Sequence, residues 1–526
     1  MKNLIIAVLM LVTFVSFVSA QDQPVAKPSL PIERKAEKVE VLYSPNSSVL
    51  FAKNDINKVR LEDRQYMRYF SIYNVPADKR LAYKQTLSFL INSLSRRKTI
   101  IVPTVVKESE GTVLRIDLRD YDIPSTAWDK LGKNGSGVRP KPEPYFHVAA
   151  DQFNTPVDVQ SIAKTRNVLT GYDRYNRPVY STEQYIEQVQ ATGKTEVKRI
   201  LTSGPWLNAN SVADLVANTQ TDFPIFRGDW AITNMSLPPA YYDFLSLGNK
   251  EEDFEKLVFA DNKLAEKARV QTKGIVISSI ITRNNRTLTR SPTFTGGAYW
   301  QSHDTLTSTD DRDYVKTILD EKFDAKEIIA NLPNGLQAYF LVNAQNVRQD
   351  AAPTDIAIDY LSADKTVRNG RSCFVCHNTG IQPINDEIRK ITEKLTKNDN
   401  IALFTSDYTT KLLIRDLFGS NLDKEVKKDQ EKFQEAVLEA TEGLKAEDSA
   451  SQFSSVYDNY AEKLLTIEDV ARDVGVSAEM LREYITRSRD VHVLSLTKNP
   501  IRSLRRDHWE QSFSEFMLIV IGGNSP

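Results

Sequence analysis

The pattern of hydrophobic and polar positions changes character once along this chain. Up to about residue 350, helical and strand periods are interleaved. From Asp78 to Leu94, the residues Leu81, Leu87, Leu90, Ile91 and Leu94 recur at helical spacing with lysines and arginines between them, which predicts an amphipathic helix. Val113 to Arg119 alternates strictly. Leu114, Ile116 and Leu118 would face a core and Arg115, Asp117 and Arg119 would face out, the pattern of a half-buried strand. Thr99 to Val106 is β-rich around Pro103, and Gly274 to Ile281 is a further strand candidate. Residues 327–332 and 336–342 are separated by Pro333-Asn334-Gly335. Proline presets φ at such a turn and Asn-Gly tolerates left-handed backbone, so the segment predicts a hairpin. Beyond Pro353, β-branched runs become scarce. Helical patterns separated by polar breaks cover 386–396, 409–418, 423–444, 453–465, 467–473, 477–487 and 504–518. The fold class expected is an α+β N-terminal region over residues 51–350, followed by a mostly α-helical C-terminal region over 351–526.

The first fifty residues have a different character. Lys2, the apolar run Leu4 to Val18 and the small residues Val18-Ser19-Ala20 read as a signal peptide over 1–20, cut after Ala20. An uncleaved N-terminal anchor is the alternative. Residues 21–50, Pro-, Lys- and Glu-rich, predict a flexible leader. The 526-residue chain is long enough for two or more domains after the signal. A formal net charge of −1 provides no global field to draw nucleic acid or an anionic membrane. The apolar cluster Phe516 to Ile521 is too short to span a bilayer, so no transmembrane segment is expected once the signal is removed.

The two cysteines of the whole chain stand together in Arg371-Ser372-Cys373-Phe374-Val375-Cys376-His377. C-x-x-C-H is the attachment spacing of c-type haem. One turn of chain places both sulfurs on one edge of the porphyrin for thioether formation, and the next residue brings an imidazole beneath the iron. Cys373 and Cys376 are therefore the candidate attachment residues for one covalent haem c, and His377 the candidate proximal iron ligand. An export signal agrees with this chemistry, because bacterial c-type haem is attached outside the cytoplasm; the expected location is periplasmic or secreted. A small disulfide and a thiol redox pair remain as alternatives. A zinc site lacks a second Cys/His cluster.

The sixth iron ligand decides between electron transfer and small-molecule chemistry. Position downstream of the motif selects Met480 and Met517 as distal candidates, each with an alternative reading as a core residue. His492, His508, His147 and His303 complete the imidazoles, and Met67 and Met235 the mature methionines. Arg505, Arg506 and His508 form the one dense basic cluster with an imidazole that could serve a distal catalytic site. A carbonyl in the turn Gly380-Ile381-Gln382-Pro383 could accept a hydrogen bond from His377 Nδ1 and orient the ring. Residues 466–485 resemble a helix-turn-helix, with Thr466 and Ser477 as N-caps and Gly475 as a stop. The second helix opens on Ala478-Glu479, and a carboxylate there repels phosphate, so nucleic acid is not an expected partner.

Several segments together resemble a family of secreted bacterial proteins of unassigned biochemical role that end in a single cytochrome c domain. They are Asn92-Ser93-Leu94-Ser95, Leu114 to Tyr121, Asp229-Trp230, Leu237 to Tyr242, Asn284-Asn285-Arg286, Gly297 to Trp300, Asn331 to Tyr339 and Asn369 to His377. The resemblance implies a cytochrome c-like C-terminal domain that binds haem c and passes electrons. The chain departs from the family at Lys322-Phe323-Asp324-Ala325-Lys326-Glu327, where a His-Asp-Gly-Gly-Glu-like run is expected and no histidine stands. The leading expectation is an exported mono-haem electron carrier. The alternatives are a peroxidase- or oxygenase-like haem enzyme with an open distal site, and a binding or scaffold module with a tethered haem. Neither a redox partner nor an oligomeric state can be read from the residues.

Overall fold

The strand patterns and their turns assemble into three sheets, which a computed structural model of the chain resolves in detail. It describes residues 43–139, 141–146, 159–172, 178–190, 209–259, 271–276, 286–304, 319, 323–352, 357–360, 362, 364–384, 386, 389, 407–419, 421–498 and 504–520. The signal peptide, most of the leader, His147 and most of the helix expected at 386–396 lie outside these residues. The strands are β1 (Met67–Ser71), β2 (Thr104–Val105), β3 (Val113–Asp117), β4 (Val159–Tyr172), β5 (Pro178–Gln190), β6 (Ile225–Arg227), β7 (Thr272–Val276), β8 (Arg286–Pro292), β9 (Ala298–Asp304), β10 (Ala325–Asn331) and β11 (Gln337–Asn343). Both strands and helices are present, so the chain is α+β, as expected. Leu42–Pro526 clusters as one compact unit, with no separation at residue 350. Among the described residues, no helix is long and apolar enough to cross a membrane.

The first sheet has the order β2-β3-β1-β6. β3 pairs antiparallel with β1, Leu114 facing Phe70, and β6 lies parallel on the other side of β1. Leu114, Ile116 and Leu118 are buried as their alternation predicted. The strand stops at Asp117, whose carboxylate accepts from the Arg119 amide and caps a short helix, Leu118–Tyr121. Thr99–Val106 is a strand only at Thr104–Val105, on the sheet edge where the preceding proline costs no ladder bond. The helix predicted from Asp78 is Arg80–Ser93. Leu87, Leu90, Ile91 and Leu94 are buried, but Leu81 is 61% exposed, because the first turn projects beyond the packed face. The leader ends sooner than expected. Ser44 caps a helix at Pro45–Ile56, and Val49, Ala52 and Ile56 join the core.

β4 and β5 pair only with each other, as a long antiparallel ribbon. The five remaining strands form an antiparallel meander in the order β11-β10-β9-β8-β7. The predicted hairpin is β10–β11, closed between Asn331 and Gln337, with Gly335 at φ +93° in its turn. Strand alternation gives this sheet two faces. On one, Glu251 of the helix Glu251–Phe259 accepts from Tyr299 Oη (3.1 Å) and Gln301 Nε2 (2.5 Å) and pairs with Lys326. On the other, Asp429 of the helix Leu422–Ala440 accepts from Trp300 Nε1 (2.8 Å) and from Arg290 (2.9 and 3.0 Å). That second face carries the candidate site.

The C-terminal pattern is borne out as helices at Tyr408–Phe418, Leu422–Ala440, Ala446–Ala461, Ile467–Val474, Ala478–Ile485 and Arg506–Val520. Thr466 and Asp469 form a capping box, Ser477 caps the next helix, and Gly475 adopts φ +80° between them. Glu479 lies exposed at the start of the second helix. Asp473, on the first helix of this pair, ties the helices to the first sheet. Its carboxylate accepts from Arg506 and from Trp509 Nε1 (3.0 Å), and pairs with Arg227 Nη1 at 3.0 Å. Its backbone carbonyl accepts from Tyr73 Oη at 2.6 Å. Arg227 in turn holds Asp229 (2.7 Å) and lies 3.5 Å over the Tyr145 ring. All of these groups are buried.

Candidate functional site

The Cys-x-x-Cys segment is a single helix, Arg371–Cys376. Gly370 turns the chain into it at φ +80°, and a Cβ there would sit 2.4 Å from the Ser236 carbonyl oxygen, so no other residue fits. Asn369 Nδ2 donates to the Tyr339 carbonyl (2.8 Å), and Ser372 Oγ donates to Asp359 (2.6 Å). Phe374 is the apolar anchor of the helix. Its ring meets Phe89, Tyr241, Tyr339 and Phe453 with centroids 5.3–6.0 Å apart. Spacing of three places Cys373 and Cys376 as neighbours on one turn. Both thiols are free; Cys373 is buried and Cys376 half-buried. Burial pushes the Cys373 thiol well above its ordinary range. Burial, helped by the charges of Asp359 and Glu327, pushes Cys376 up to about 11. Redox-active cysteines need the opposite, a thiol stabilised as thiolate, so this environment weighs against a thiol redox pair.

His377 follows the helix directly, its amide bonded to the Cys373 carbonyl at 2.9 Å. The ring is buried, and Tyr339 lies nearly parallel to it at 5.7 Å. Nδ1 is 3.2 Å from the Gly380 carbonyl oxygen, which is the turn carbonyl the sequence pointed to. A carbonyl can only accept, so Nδ1 carries the proton. Gly380 presents that oxygen from φ +102°, a conformation suited to glycine. Nε2, the atom left for a metal, faces Glu327 Oε1 at 3.1 Å.

Glu327 reaches the site from β10, which places alternate residues on this face. Its Oε2 lies 3.8 Å from Arg286 Nη1 on β8, and Arg286 Nε holds Asp304 of β9 at 2.9 Å. Burial alone would raise the Glu327 carboxyl, but His377 and Arg286 together hold it below the ordinary range. Asp304, buried beside the same arginine, is pushed up by burial. Cys373, Cys376 and Glu327 border one cavity of about 50 Å3, walled by Leu341, Val342 and Val367 among others. Its wall is mostly apolar with a few convergent polar groups, the chemical make-up of a cofactor pocket.

The other sequence candidates fall elsewhere. Met480 is 46% exposed on the helix Ala478–Ile485, and Met517 is buried in the hydrophobic core. Neither lines the cavity, and neither do Met67 or Met235. His303 lies on the opposite face of the meander, on a second cavity with Gln301 and Lys326. His492 and His508 pair with each other, ring centroids 4.0 Å apart. Arg506 is consumed by Asp473, and exposed Arg505 pairs with Asp507. The basic cluster proposed as a distal catalytic group thus has other partners and does not line the cavity. Glu327, Arg286 and Tyr339 were not singled out from the sequence. The signal for Glu327 is faint: a charged residue on the inward face of a strand in an apolar hairpin.

No family model, curated protein or solved structure matches the chain. The site's own geometry therefore carries the functional argument. The residues present fit a haem c. Both thiols border an apolar-walled cavity, and the adjacent imidazole has its Nδ1 engaged and its Nε2 turned toward a cavity-lining group.

Proposed function

We propose that the protein is an exported, mono-haem c-type cytochrome that passes electrons through a haem c held by Cys373, Cys376 and His377. When bound, the haem supplies one-electron chemistry and a coordination position for a second ligand. Cys373 and Cys376 would hold the haem through thioether bonds, a net addition of each S–H across a vinyl group that needs no external oxidant. Cys373 and Cys376, on a helix anchored by Phe374, fix one edge of the cofactor. The Gly380 carbonyl keeps the proton on Nδ1 and leaves the Nε2 lone pair for iron, the usual role of an outer partner of a ligating histidine. The observation that carries the reading is the convergence of both thiols on one apolar-walled cavity beside this oriented imidazole.

A second reading, haem chemistry on a small molecule, is favoured by one observation. Among the described residues bordering the cavity there is no methionine and no histidine to compete with a small molecule for the iron. The test is protein matured with the haem-attachment machinery. Intact mass should exceed the polypeptide mass by one haem, and Cys373→Ala with Cys376→Ala should abolish the increment. A bare polypeptide mass refutes the proposal. Reduced spectra with and without CO then separate the readings: no change with CO supports a carrier, and a shifted band supports small-molecule chemistry.

A further inference from the structure

We propose that Glu327 stands across the haem from His377 and supplies a carboxylate oxygen to the sixth position of the iron. This rests on the haem reading above and goes beyond it, because the sequence pointed only to Met480 and Met517. Three observations carry it. First, Glu327 Oε1 faces Nε2 at 3.1 Å, the one nitrogen of His377 left for a metal. An iron bonded to Nε2, in a macrocycle tethered at Cys373 and Cys376, would lie on the Glu327 side of the imidazole and part these two groups. The groups it parts then face opposite sides of it.

Second, Glu327 is oriented and charge-compensated where it stands. Arg286 lies 3.8 Å from its other oxygen and is itself fixed on Asp304 at 2.9 Å. Backbone pairing of β10 with β9 and β11 holds the residue in register, Glu327 lying between Ser302 and Leu341. Third, its rivals on the cavity wall are engaged elsewhere. Asp304 is occupied by Arg286 and by Ser302 Oγ (2.8 Å). The ammonium group of Lys326 pairs with Glu251, on the other face of the sheet. Gln349 Nε2 donates to the Val347 and Arg348 carbonyls. The donor is a hard carboxylate, which favours ferric over ferrous iron. Reduction should therefore weaken the bond to Glu327, whereas the oxidised protein holds it.

The test starts from intact mass, which reads the haem proposal independently of this one. On haem-loaded material, Glu327→Gln and Glu327→Ala should change the ferric absorption and electron paramagnetic resonance spectra. Ferric Glu327→Ala should bind azide more tightly than the parent, and added acetate should restore the parent spectrum. Ferric spectra and azide affinity unchanged in both variants overturn the inference. A measurement on the parent protein guards against variants that fail to mature. With glutamate labelled by 13C at its side-chain carboxyl, electron–nuclear double resonance should show coupling of that carbon to ferric iron, and absence of coupling in haem-loaded parent protein also overturns the inference.

Discussion

Replacing Asp473 by Asn should weaken the fold far more than any change at an exposed ion pair. Asp473 is the shared anion of two buried arginines, Arg506 and Arg227, and also accepts from Trp509 Nε1. Its side chain is 3% exposed, that of Arg227 0% and that of Arg506 6%. Asparagine keeps the shape and can still accept one hydrogen bond, but it removes the charge. Asp229 is then the remaining direct carboxylate partner of Arg227. Breaking a buried pair from one side leaves an uncompensated charge and costs about 3–5 kcal/mol. That is a roughly hundred- to several-thousand-fold change in the folding equilibrium. The control is Asp364→Asn, whose carboxylate pairs with Arg368 at a 52% exposed site and should contribute less than about 1 kcal/mol. Equilibrium urea unfolding followed by tryptophan fluorescence reads both, with Trp509 reporting from the network itself. A loss of less than about 1 kcal/mol for Asp473→Asn, equal to the control, would refute the reasoning, because the buried charges would then be compensated from elsewhere.

The same residue should govern acid stability: burial acts to raise its carboxyl, but Arg227 and Arg506 hold it below the ordinary range. A carboxyl depressed in the folded state adds stability above its unfolded value and loses it as pH falls through the folded one, so Asp473→Asn should flatten the acid limb of stability against pH. Phe374→Ala removes the ring shared by Phe89, Tyr241, Tyr339 and Phe453 and should cost about 3–5 kcal/mol in thermal or urea unfolding. Gly380→Ala strains φ +102° and brings a Cβ within 3.2 Å of Phe433, displacing the carbonyl from His377. Haem attachment should survive, since the cysteines are untouched, and the iron–histidine stretch in resonance Raman should fall; an unmoved stretch would show that the carbonyl does not orient the ring. Met480→Leu and Met517→Leu should leave the haem spectra unchanged, and a spectral shift in either would return it to the distal position.

Periodicity was legible wherever one face of an element is buried. The helices of the C-terminal half, the β10–β11 hairpin and β3 all follow it, because their inward residues are predominantly apolar. It was silent for β4 and β5; the β4 run Ile162-Ala163-Lys164-Thr165-Arg166-Asn167-Val168 has no clean alternation of apolar and polar residues. It overreached at Leu81, since a helical repeat does not say where the packed surface ends. The caps Thr466, Ser477 and Gly475 were readable because capping is local, and the Gly380 carbonyl was readable because it lies three residues from His377.

The chain by itself placed two thiols and an imidazole within five residues, close enough to converge through one helical turn. What faces the imidazole was decided by tertiary structure alone. Arg286, Asp304 and Glu327 come from three different strands, and antiparallel pairing with side-chain alternation turns them to one face of the sheet, opposite His377. No local pattern encodes that meeting. It exists because the ladder register chooses which residues of distant segments share a face, and because the motif helix packs its phenylalanine against that face.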